Sequence, residues 1–155
     1  MTDEPNVKNT GEVELLSFRL AEQEYSVDIM SVREIRGWTR ATPLPHAPAH
    51  VRGVINLRGT VLPVVDLSTR LGMPPVKGDA RNVIIVVQVA GQAAGLLVDA
   101  VSDILALPRS ELQPPPDLAA DAAHSYIEAL TIVEGRMIRV LDLQAVLPDG
   151  TAEAA

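Results

Sequence analysis

The sequence predicts an all-β fold: two related, intertwined β subdomains with short helices, sharing one hydrophobic core. Three observations carry that expectation. The apolar runs are short, rich in Val, Ile and Leu, and bounded by turn formers. The chain of 155 residues holds 12 Pro and 10 Gly, which leaves little room for long helices. The stretch Leu57–Leu67 (LRGTVLPVVDL) returns as Val133–Leu143 (VEGRMIRVLDL), with Gly, Val, Asp and Leu coinciding at an offset of 76.

Taken in order, strands are expected over Val13–Leu20 and Tyr25–Ile29, where apolar and polar residues mix at strand spacing. A short helix is expected over Ile29–Glu34. Strands follow over Gly53–Leu57 and Thr60–Val65, joined by a tight turn closed by Gly59. Ser68 is a plausible cap for a helical piece ending at Leu71. Asn82–Val89 is the longest β-branched run, and Gly95–Asp99 and Ile104–Leu107 continue the pattern. The repeat then supplies strands over Tyr126–Val133 and Met137–Leu141 and a helix over Asp142–Leu147. A weaker echo relates Tyr25–Ser31 to Leu96–Ser102, each followed by an acidic-Ile pair and then a Pro-rich segment. Residues 1–12 are expected to be a disordered lead, 13–147 the folded domain and 148–155 a flexible tail. With 47% hydrophobic and only 3% aromatic residues, the core is aliphatic.

Composition narrows the function more by exclusion than by indication. There is no Cys, so disulfides, thiolate metal sites and cysteine nucleophiles are ruled out. A net charge of −7 with few aromatics disfavours nucleic acid and anionic lipid as partners. The first residues carry neither the basic start nor the apolar stretch of a signal peptide, and the expected location is cytoplasmic.

Candidate chemistry is thin. His46 and His50 have the spacing of a helical metal pair, but Pro43, Pro45 and Pro48 break any helix there, so no metal is expected. His124 belongs to no recognisable triad. Asp66 and Asp142 stand where a strand passes into a helix and read as caps, while Asp99 and Asp103 read as turn residues at a strand end. No Gly-rich phosphate loop occurs, and neither catalytic residues nor a cofactor are expected. Arg33, Arg36 and Arg52 read as a solvated face. Arg58, at the tip of a tight turn, suits a carboxylate partner as well as it suits solvent.

Several ordered motifs resemble the CheW coupling proteins of bacterial chemotaxis: Glu24–Ile29 (EYSVDI), Val32–Gly37 (VREIRG), Val51–Gly59 (VRGVINLRG), Pro63–Leu67 (PVVDL), Gly95–Ile104 (GLLVDAVSDI) and Pro114–Leu118 (PPPDL). The resemblance covers about residues 13–147. It implies two SH3-like β-barrel subdomains around a common core, and a non-enzymatic adaptor that couples methyl-accepting chemoreceptors to the histidine kinase CheA. Its implied partners are the chemoreceptor cytoplasmic hairpin tip and the CheA regulatory domain, met at the inner face of the membrane through receptor arrays. Carried over by motif, Val32, Glu34, Gly53, Arg58, Gly59 and Leu118 belong to kinase- or receptor-contacting surfaces, and Ile29 and Ile84 to an apolar receptor groove. Three alternatives stay open: a CheW-like adaptor of a pathway with another output such as pili or development, a small-molecule-binding β-barrel, and a small enzyme using Asp66 or Asp99 with a histidine.

Overall fold

The computed structural model describes residues 11–115 and 126–147. Ten strands alternate with single turns of helix: β1 (Glu12–Leu20), β2 (Gln23–Asp28), β3 (Val32–Gly37), β4 (Val51–Leu57), β5 (Thr60–Asp66), α1 (Leu67–Arg70), β6 (Val83–Val89), β7 (Gln92–Val98), β8 (Ala100–Pro108), β9 (Ile127–Val133), β10 (Arg136–Leu141) and α2 (Leu143–Val146). The fold is all-β, as expected. Leu118 and His124 lie outside the described residues.

The strands form two five-stranded sheets, ordered β8-β1-β2-β10-β9 and β3-β6-β7-β5-β4. Moving every strand five places along the chain converts one order into the other, so the internal repeat extends to the whole topology. The halves are exchanged: each sheet takes two strands from one half and three from the other. The splice is a short parallel pairing, β10 on β2 through Ile138–Glu24 to Val140–Ser26, and β5 on β7 through Val64–Gly95 to Asp66–Leu97. Each sheet curls shut through one isolated bridge, Thr42 to Val54 in the barrel of β3, β4 and β5, the first barrel, and Gln113 to Leu130 in the barrel of β8, β9 and β10, the second.

Four hairpins share one solution to their turns. β1–β2, β4–β5, β6–β7 and β9–β10 are joined by two residues, both at positive φ: Ala21-Glu22, Arg58-Gly59, Ala90-Gly91 and Glu134-Gly135. That is the turn whose twist matches the strands it joins.

One aliphatic core joins the two barrels. Leu16, Phe18 and Leu20 of β1 and Val27 of β2 pack with Val65, Ile85, Leu96 and Val146. A smaller cluster of Leu15, Leu107, Ala129 and Val140 fills the second barrel alone. Adjacent Leu15 and Leu16 thus serve different cores, because successive strand side chains point to opposite faces. Arg70 of α1 donates to the carbonyls of Val146 and Ala145 at 3.1 and 3.2 Å and lies over the Tyr126 ring, pinning the two small helices together.

Asp66 and Asp142 do cap α1 and α2, accepting from Thr69 N and from Gln144 and Ala145 N. Asp99 binds the Ala21 amide at 2.8 Å, a turn role. Four expectations need correction. Ser68 is no cap: it is buried inside α1, and Asp66, one residue before the helix, caps it. The helix expected over Ile29–Glu34 is a single 3-10 turn, Ile29–Ser31, capped by Asp28; from Val32 the chain is strand, because pairing with β6 outweighs local propensity. Asp103 lies within β8 rather than at a strand end. Arg52 is no solvated residue: its Nε and Nη2 meet the buried Asp66 carboxylate at 3.1 and 3.0 Å, and Nη2 also donates to the Val76 carbonyl. Asp66 in turn accepts from Val76 N, so this pair fastens the chain leaving α1 onto β4.

Two substitutions test this architecture. Thr131 is buried with no hydrogen-bond partner for its hydroxyl among the described residues, and its counterpart in the first half is Ile55; Thr131→Val raises stability by about 1 kcal/mol in urea unfolding. At Gly53, φ is +145° and an added Cβ would sit 2.1 Å from the Thr42 carbonyl oxygen, across the bridge that closes the first barrel. Gly53→Ala therefore lowers stability by more than about 2 kcal/mol in the same measurement.

Candidate functional site

β3 is an edge strand with alternating exposure: Val32, Glu34 and Arg36 turn inward and are half-buried, while Arg33, Ile35 and Gly37 face out. The neighbouring hairpin β4–β5 carries Arg58 and Gly59 at its tip, where φ values of +51° and +89° make the turn. Asn56 Oδ1 accepts the Gly59 amide at 2.8 Å and holds that turn. From it the Arg58 guanidinium reaches Glu34 Oε1 at 2.7 Å, while Arg36 Nη1 meets Oε2 at 3.2 Å. Each carboxylate oxygen of Glu34 therefore takes one arginine. The sequence left Arg58 between a carboxylate and solvent; the structure supplies the carboxylate from within the chain.

The arrangement is presented outward. Arg58 is 70% exposed at its side chain, and Val61 and Ile35, on the same hairpin and strand, are 62% and 47% exposed. A shallow groove of about 370 Å³ runs beside them, lined by Arg36, Arg40, Val54, Asn56 and Val61 among others. The hydrogen bond from Arg58 holds the Glu34 carboxyl below the usual carboxylate range, against a smaller opposing effect of desolvation. In the second barrel burial, reinforced by Asp142 and Asp28, pushes Glu128 the other way.

The remaining expected residues separate into surface and support. Val32 packs partly against the main core, and Ile29 does so from the 3-10 turn, next to Met30 at 63% exposure. Gly53 is buried and serves barrel closure rather than contact. Ile84 is 0% exposed, with its Cγ2 2.7 Å from where a Cβ on Gly95 would stand; its side chain lies in the core against β7 and lines no groove. Both corrections have one cause: these residues stand inside apolar motifs whose side chains turn into the barrel. Sequence reasoning read Arg36 as part of a solvated face, which its pairing with Glu34 corrects, and gave Val61 no role. The alternation of β3 pointed to Arg36, two residues from Glu34 on the same side. Among the described residues no group of His, Asp or Glu is arranged to hold a metal, and His46 and His50 sit in a Pro-broken segment with His46 at positive φ.

The profile of the CheW-like domain family matches residues 14–150. The chain belongs to the CheW family. It is 53% identical over 155 residues to the chemotaxis protein CheW of Rhizobium meliloti, covering 100% of both chains. It is 35% identical to the chemotaxis protein CheW of Klebsiella aerogenes over 134 residues, 86% of this chain and 81% of that one. The solved scaffolding protein CheW of Thermoanaerobacter tengcongensis superposes with a TM-score of 0.81 at 31% identity, covering 88% of each chain. Membership accounts for the two SH3-like barrels around one core and for the order of the motifs read from the sequence. No helix among the described residues is long and apolar enough to cross a membrane.

The electrostatics of the bridge are testable by titration. Glu34 has its carboxyl pKa depressed in the folded state, so its contribution is present above the ordinary value and is lost as pH falls through the folded one. Carbon-detected NMR of the Glu34 carboxyl will show a midpoint below that of an ordinary glutamate, and Arg58→Ala will move it back up.

Proposed function

We propose that the chain is a non-enzymatic adaptor that couples methyl-accepting chemoreceptors to the histidine kinase CheA, holding the receptor's cytoplasmic hairpin tip and the kinase's regulatory domain at the same time. The observation that carries this reading is the end-to-end likeness to a chemotaxis protein CheW at 53% identity. The geometry supports it. An adaptor needs faces and no reaction centre, and the first barrel offers Glu34, Arg36 and Arg58 in a charged bridge, with Val61 exposed on the hairpin that carries Arg58 and Ile35 exposed on the other side of β3. Apolar side chains supply the affinity of such a contact, and charges fix its register and reject wrong partners.

The mechanism is thermodynamic. A protein of this kind alters kinase output by binding receptor and kinase together and favouring one arrangement of the kinase over another, so its effect is bounded by the difference in its affinities for the two arrangements. The Glu34–Arg58 bridge joins an edge strand to a hairpin tip through two side chains, so a partner that offers its own charge competes for either of them. In this reading the protein acts at the inner face of the membrane through its receptors.

Binding measured by calorimetry against a receptor cytoplasmic fragment and against the CheA regulatory domain of the same organism tests the proposal. Wild-type chain binds both. Arg58→Glu puts two carboxylates together and weakens at least one association by about tenfold or more while the fold persists. Adding Glu34→Arg restores the opposite-charge pair and recovers part of that loss. Failure of the wild-type chain to bind either partner overturns the assignment.

A further inference from the structure

A second concavity lies behind the segment that closes the first barrel, and it has the chemistry of a small ligand site. It encloses about 360 Å³ and is lined by Trp38, Arg40, Pro43, Arg52, Val64 and Leu97, with Gly78 at one wall. That volume is within the range of small-molecule sites. Val64 and Leu97 are 2% and 1% exposed and form an apolar floor.

Two donors converge at its wall. A Cβ on Gly78 would lie 2.9 Å from Arg52 Nη1 and 3.4 Å from Trp38 Nε1, so both N–H groups border one spot that the missing side chain leaves open. Arg52 commits Nε and Nη2 to Asp66 and to the Val76 carbonyl. Its Nη1 has no acceptor among the described residues, and neither has the indole Nε1. Asp66 balances the charge of Arg52, and Arg40, exposed at the rim, supplies the remaining positive charge. No carboxylate lines the concavity, in a chain whose net charge is −7.

We infer that this concavity binds a small carboxylic acid with an apolar body, its carboxylate taken by Arg52 Nη1, Trp38 Nε1 and Arg40 and its hydrocarbon laid on Val64 and Leu97. A guanidinium and an indole N–H together match the acceptor-only carboxylate, and the floor matches its alkyl part. The inference rests on this geometry alone and stands or falls independently of the adaptor reading.

Trp38 is the protein's one tryptophan, so its fluorescence reports on this place and no other. The full chain is titrated with cyclohexanecarboxylate, acetate, cyclohexanecarboxamide, inorganic phosphate and N-acetylglutamate amide, and the amide resonances of Ala41 and Gly78 are followed in parallel by NMR. Cyclohexanecarboxylate saturates in about the millimolar range and binds more tightly than each of the other four. Arg40→Gln, at an exposed position, weakens it about tenfold, the loss of one charge-assisted hydrogen bond. Trp38→Phe, followed by NMR, weakens it as well; where that variant does not fold, Arg40→Gln decides. Absence of saturation in both readouts overturns the site. Equal binding of the neutral amide or of phosphate overturns the carboxylate, equal binding of acetate overturns the apolar floor, and tighter binding of N-acetylglutamate amide overturns a free acid in favour of a peptide side chain.

Discussion

Everything in this molecule hangs on two short parallel pairings, β10 on β2 and β5 on β7, through which each half of the chain completes the other's sheet. Parallel neighbours cannot be joined by a tight hairpin. Here residues 29–135 connect β2 to β10 and residues 67–91 connect β5 to β7, and the result is a pair of barrels that neither half could build. A unit of half this length would bury too little apolar surface to be stable alone. Exchange removes the problem, because β1 and β2 of one half pack in the same core as β6 and β7 of the other.

The site inherits its precision from that arrangement. Glu34 sits on a strand held by β6, from the opposite half, while Arg58 sits on a hairpin held by β7, also from the opposite half. The bridge between them therefore depends on the β3–β6, β6–β7 and β5–β7 pairings all being in register. Support residues do their part unseen: Ile84 in the core against Gly95, Gly53 giving way to the Thr42 carbonyl, Asp66 fixing Arg52.

Much of this could be read from the sequence. The β-branched runs, the Arg58-Gly59 turn and the copy of it at Glu134-Gly135, and the capping aspartates were legible because each is a local matter of propensity, turn chemistry or hydrogen bonding. The repeat announced two related units and the motifs their family. What could not be read was pairing. Nothing local in Val32–Gly37 says that β6 waits beside it, so Val32–Glu34 reads from sequence as the end of a helix begun at Ile29. Ile84 and Gly53 were assigned to surfaces because a motif names positions and not the direction a side chain faces. The Arg52–Asp66 pair escaped for the same reason, its members being 14 residues apart.

The two barrels share a backbone plan, yet their corresponding hairpin tips carry opposite signs, Arg58 in one and Glu134 in the other, and the exposed face near Arg58 also differs from its counterpart in replacing Asn56 by Ile132 and Val61 by Met137. A molecule built this way has a head and a tail. The repeat gives the two ends one backbone plan, and these outward positions give them opposite charge and different apolar cover, so two surfaces built alike are chemically distinct.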